Sequence, residues 1–142
     1  MDTPLDVRDQ RLRIYLVEDN TTIRKNLTEW LEDASARMVG FATTEDEAKS
    51  WLTENSTAWD LAVVDLFLAK GGGLGVVKSC ANRSNGQKVL VLSNYATPPI
   101  RERSIALGAD AVFDKSTELE EFLDYAMNEV ERHQADTRMD PL

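Results

Sequence analysis

The chain has 142 residues, 25 acidic and 16 basic, with a formal net charge of −9. That balance argues against direct nucleic-acid binding, which needs a basic face against phosphates. At 42% hydrophobic and 29% charged, it reads as one soluble domain over residues 1–142, core about 12–130, too polar throughout to span a bilayer. The N-terminal MDTPLDVRDQRLR lacks the apolar stretch of a cleaved secretion signal, and Cys80 stands alone, so no internal disulfide forms and a cytoplasmic setting is expected.

In chain order, Ile14 to Val17 reads as a buried strand. Ile23, Leu27, Trp30 and Leu31 then fall on one helical face. Met38 to Ala42 is a weaker strand. Thr44 and Glu47 have capping-box spacing, and Ala48, Trp51 and Leu52 give the next helix its apolar side. Leu61 to Val64 is a third strand, followed by glycines and a helix over Leu74 to Ala81. Lys88 to Leu92 is the fourth strand. Pro98 and Pro99 suit the start of a fourth helix, about Pro99 to Leu107, which ends at Gly108. Its apolar stripe is poor, so it is expected to be the most mobile helix. Ala111 to Phe113 is the fifth strand. Thr117 and Glu120 repeat the capping-box spacing, and Leu119, Phe122, Leu123, Ala126, Met127 and Val130 stripe the fifth helix. Residues before Arg11 and after Gln134 are polar and expected to fray.

Five repeats of strand then helix imply an α/β fold with a parallel sheet covered on both faces. Ligands in such sheets bind beyond the carboxyl ends of the strands. There the strands present Glu18 and Asp19, then Asp65, Ser93 and Lys115. Three acids supply oxygens for a small hard cation such as Mg²⁺. An ionised Asp65 can attack a phosphoryl group, and Ser93 and Lys115 can hold the phosphoryl oxygens. Each residue alone also has a structural reading. Glu18 and Asp19 complement a helix dipole, Asp65 and Ser93 are turn residues, and Lys115 is a solvated charge. Their joint order, one group per strand end, favours the chemical reading. Glycines after Asp65 allow close approach of a partner. Asp114 points away from Lys115 by strand alternation, Cys80 faces the core, and His133 is expected to be exposed.

VEDN at 17–20, VVDLFL at 63–68, Gly73-Leu74, VLVLS at 89–93 and GADAVFDKS at 108–116 together resemble the receiver domain of a two-component response regulator. The resemblance runs from about Leu12 to Val130. It implies a flavodoxin-like, doubly wound five-stranded parallel sheet of order 2-1-3-4-5. It implies Asp65 as phosphoacceptor, Ser93 as switch hydroxyl and Lys115 as phosphate-binding lysine. Mg²⁺ would be held by Glu18, Asp19, Asp65 and the backbone carbonyl of Phe67. The implied donor is the phosphohistidine of a sensor histidine kinase or histidine phosphotransfer protein. Beyond it stands an unidentified downstream protein, or a homodimer through the fourth helix, fifth strand and fifth helix. No nucleic-acid or membrane partner is expected, nor conventional turnover catalysis. With no output domain after Gln134, the chain reads as a stand-alone receiver or a piece of a longer protein.

Several positions depart from the family pattern. Ser116 replaces the usual proline after the lysine, and Ala69 replaces the proline four places after the phosphoacceptor. Asn94 replaces a small residue, and Val112 replaces the aromatic switch residue. Phe113 is aromatic but on the other strand face. Tyr95 is therefore a candidate for the coupling role. Phe67 and Tyr95 flank the path of the water that would hydrolyse the phosphoryl group, and two aromatics there imply slow loss. Two rival readings are a receiver-like interaction module that is never phosphorylated and a phosphohydrolase with an aspartyl nucleophile. The second wants another acid two places after the nucleophile, where this chain has Phe67.

Overall fold

The computed structural model describes residues 9–138, so residues 1–8 of the expected frayed N-terminus lie outside the described residues. Strands and helices alternate: β1 (Arg13–Val17), α1 (Thr21–Asp33), β2 (Arg37–Ala42), α2 (Glu45–Glu54), β3 (Leu61–Val64), α3 (Gly73–Ser79), β4 (Lys88–Ser93), α4 (Pro98–Ala106), β5 (Ala111–Asp114) and α5 (Leu119–Arg138). The strands form one parallel sheet of order β2-β1-β3-β4-β5, the flavodoxin-like arrangement expected.

Strand alternation divides the core in two. Ile14, Leu16, Leu61, Val63, Leu90 and Leu92 pack against Leu27 and Leu31 of α1 and Phe122, Ala126 and Val130 of α5. Tyr15, Val17, Ala62, Val64, Val89 and Val91 pack against Ala48 and Leu52 of α2 and Val76 and Val77 of α3. Ile100 and Leu107 join that second layer from the α4 side. Every residue of β3 is buried, as a central strand covered on both faces requires.

Some local expectations change. Trp30 and Met127 sit at the margins of their stripes and are exposed (41% and 47%), because Leu27, Leu31, Phe122 and Ala126 already fill the layer. The Thr44–Glu47 box is only half formed. Thr44 accepts from the Glu47 N–H, but the Glu47 carboxylate reaches past it to the Thr43 N–H at 2.9 Å. The expected Thr117–Glu120 box does not open α5. The Phe122 N–H donates to the Glu118 carbonyl, so Glu118 is the cap residue. The Asp114 carboxylate holds the Ser116 and Thr117 N–H groups and shifts the start by one. α5 also continues as helix past Gln134, to Arg138. In α4 only Ser104 is fully buried, which matches its poor stripe.

Candidate functional site

Because all strands run the same way, their carboxyl ends share one rim. Val17 pairs with Val64, Val64 with Val91, and Ser93 with Asp114. The ladder extends one residue further. The Asp65 N–H donates to the Val17 carbonyl and the Lys115 N–H to the Ser93 carbonyl, each at 2.9 Å. The backbone of the acceptor candidate and of the lysine is thereby fixed to the sheet.

Of the expected rim side chains, the three acids and Lys115 come together. Glu18, Asp19 and Asp65 each offer a carboxylate oxygen, and those oxygens all lie within 4.8 Å of one another. Glu18 and Asp65 are buried, at 1% and 7% exposure. Lys115 Nζ donates to Glu18 Oε1 at 2.5 Å and to Asp65 Oδ2 at 3.2 Å. Burial pushes the Asp65 carboxyl above its ordinary value. The Lys115 ammonium opposes this, the Glu18 charge adds to it, and the net shift is upward. A hard, all-oxygen donor set with surplus negative charge suits a metal ion. Asn20 caps α1 by accepting from the Ile23 N–H at 2.9 Å, and its own N–H donates to Glu18 Oε2 at 3.0 Å, so Glu18 also lies at the positive end of that helix.

Ser93 is fully buried, and its Oγ accepts from the Tyr95 N–H at 3.3 Å. Asp114 is turned toward Ser116, whose hydroxyl and N–H hold its carboxyl below the usual range. Gly73 is pressed against the backbone of Asp65. A Cβ there would lie 2.1 Å from the Asp65 carbonyl oxygen, so only glycine fits. The close approach expected of a partner is thus made by α3 itself. Phe67 and Tyr95 pack edge to face, ring centroids 5.3 Å apart, and remain 52% and 63% exposed. Val112 is buried, while Phe113 faces the other layer and meets Phe122 and Tyr125. Asn94 is exposed beside a groove of about 210 Å³ lined by Ile23, Leu27, Trp30, Lys115 and Leu119. Cys80 is buried and its thiol is pushed up by burial, whereas His133 is half-buried rather than exposed.

Sequence reasoning missed Arg101. Its guanidinium donates to the Ala96 carbonyl at 2.7 Å, the Val112 carbonyl at 3.1 Å and the Glu118 carboxylate at 2.5 Å. It ties the loop after Ser93 to β5 and to the start of α5. An arginine on a polar helix gives no sequence signal of this kind, because two of its partners are backbone carbonyls.

The chain matches the family described as response regulator receiver domain over residues 14–127. It is 29% identical over 112 residues to the transcriptional regulatory protein PhoP of Escherichia coli K12, covering 79% of this chain and 49% of that protein. It therefore spans about half the length of the curated relatives it matches. A response regulator receiver domain protein (CheY-like) from Methanospirillum hungatei superposes with a TM-score of 0.72 at 22% identity, covering 89% of this chain and 98% of the other. A response regulator protein from Burkholderia pseudomallei with a phosphorylated aspartic acid superposes with a TM-score of 0.69 at 22% identity, covering 92% and 75%. At these identities the two structures speak for the fold alone. Among the described residues, no helix is long and apolar enough to cross a membrane.

Proposed function

This chain belongs to the receiver-domain family of two-component response regulators, and from that premise we propose that Asp65 is its phosphoacceptor. The observation that carries the reading is the group of three acids within 4.8 Å, with the Lys115 ammonium bridging two of them. One Asp65 oxygen attacks phosphorus and forms an O–P bond. The N–P bond of the donor phosphohistidine breaks, and the imidazole leaves with the electron pair and takes up a proton. Lys115 turns from the carboxylates to the phosphoryl oxygens, where its charge is again neutralised. Ser93 supplies a hydroxyl donor to the same oxygens. Glu18, Asp19 and Asp65, with the Phe67 carbonyl, would hold Mg²⁺, which when bound would offset the repulsion between the acids and the incoming phosphoryl group.

The product is one acyl phosphate per chain rather than turnover of a substrate. The groove beside Lys115 suits the donor protein, since an exposed Trp30 next to apolar Ile23 and Leu119 has the make-up of a docking anchor. A downstream protein or a second copy reads the changed surface of α4, β5 and α5. This reading sets the protein in the cytoplasm. The test is intact mass after incubation with a small acyl phosphate and Mg²⁺. The wild type gains one phosphoryl group and Asp65→Asn gains none. Equal uptake by the variant contradicts the assignment.

A further inference from the structure

The loop joining β3 to α3 is held at several points. The Gly73 N–H donates to the Leu66 carbonyl at 3.0 Å, and the Gly72 N–H donates to Glu45 Oε1 at 2.8 Å. The Glu45 N–H donates to the Lys70 carbonyl at 3.1 Å. These bonds fasten the loop to itself and to α2. Two bonds reach the acid group instead: the Phe67 N–H donates to Asp65 Oδ1 at 3.3 Å, within the loop's own start, and the Ala69 N–H crosses to Asp19 Oδ2 at 2.6 Å.

A carboxylate has two oxygens. Here one is engaged by a backbone amide, which leaves the other for a cation and fixes the plane of the group. Metal-ligating carboxylates are oriented by such outside hydrogen bonds, and losing one typically costs 10–100-fold in metal affinity. The bond depends on the residue at 69 having an N–H, which a proline lacks. It depends on nothing in the alanine side chain. Phe67, whose carbonyl is assigned to the same cation, lies two residues earlier on the loop.

We propose that the Ala69 amide is a positioning group for the cation site, clamping Asp19 so that its second oxygen faces the metal. The proposal rests on reading Glu18, Asp19 and Asp65 as that site. Linkage makes it reciprocal. If the clamp strengthens Mg²⁺ binding, Mg²⁺ strengthens the clamp by the same free energy.

The test is calorimetric titration of Mg²⁺ into the full chain, with hydrogen exchange of the Ala69 amide followed with and without Mg²⁺. Ala69→Pro should bind Mg²⁺ about tenfold more weakly. Ala69→Ser keeps the donor and should bind like the wild type. Glu45→Ala frees Gly72 but leaves the clamp, and should lose less affinity than Ala69→Pro. In the wild type the Ala69 amide should exchange more slowly once Mg²⁺ is bound. Wild-type affinity in a folded Ala69→Pro, or an equal loss in Glu45→Ala, overturns the clamp. Should Ala69→Pro fail to fold, the wild-type exchange decides, and unchanged or faster exchange with Mg²⁺ overturns it. A wild type that binds no Mg²⁺ removes the cation site itself, a failure distinguishable from the loss of the clamp alone.

Discussion

The surroundings of Asp65 compensate its charge only in part. The carboxylate is buried and sits beside Glu18, with Lys115 as partial counter-charge. Its folded-state pKa is raised, so between the unfolded and folded values the native state binds more protons than the unfolded chain. Wild-type stability therefore falls as pH climbs through that window, and the deficit is fully present above it. Without metal, Asp65→Asn should stabilise the protein at neutral pH by about 1–2 kcal/mol, the scale of relieving one poorly compensated buried group. The gain should vanish below the ordinary carboxylate range, where the wild-type group is neutral too. Chemical denaturation at neutral and acid pH checks both the sign and the trend. At the same rim, Phe67 and Tyr95 pack edge to face, and under the proposed function these rings stand in place of a carboxylate or amide that would orient a hydrolytic water. Phosphorylated Phe67→Asn and Tyr95→Glu should lose the phosphoryl group faster than the wild type. A tenfold faster first-order decay corresponds to about 1.4 kcal/mol off the barrier. Equal decay in all three would show that the rings do not set the lifetime.

At the scale of the elements, two helices end alike with different residues. After α4, the Gly108 N–H donates to the Ile105 carbonyl and the Ala109 N–H to the Ser104 carbonyl, with Gly108 at φ +117°. After α1, the Ser35 N–H donates to the Glu32 carbonyl and the Ala36 N–H to the Leu31 carbonyl, with Ser35 at φ +73°. Both are the same left-handed helix terminus, satisfying carbonyls that would otherwise lack partners. Glycine adopts that conformation without steric penalty and serine does not. Ser35→Gly should therefore stabilise by about 0.5–1 kcal/mol after the added unfolded-state entropy is deducted. Thermal or urea unfolding measures it, and a neutral or destabilised variant contradicts the strain. Gly108 announced its helix end in the sequence because glycine is the usual residue there. Ser35 announced nothing, since serine is common in many loop conformations.

For the whole molecule, what was legible followed from periodicity and what was not followed from side chains meeting across the chain. The apolar runs Leu61–Val64 and VLVL at 89–92 located the central strands, and strand ends then located Glu18, Asp19, Asp65, Ser93 and Lys115. Trp30 shares the apolar stripe yet stays exposed, because periodicity fixes an angle around the helix, not how much room the opposing layer has left. The reach of Arg101 to Ala96, Val112 and Glu118 was invisible because it crosses three separate segments. The Ala69–Asp19 bond joins residues 50 apart and uses a backbone donor, so no residue type advertised it. These long-range ties make the rim one unit, with loops from β1, β3, β4 and β5 bound to each other as well as to the sheet. Under the proposed function this unit directs phosphoryl transfer to one carboxylate, Asp65. The most direct test of that role is to phosphorylate the protein, reduce the acyl phosphate with borohydride and map the modified peptide by mass spectrometry. Reduction converts only the phosphorylated aspartate to homoserine, so homoserine should be found at position 65 alone; homoserine at Glu18's neighbour Asp19 or at Asp114, or none anywhere, would contradict the account.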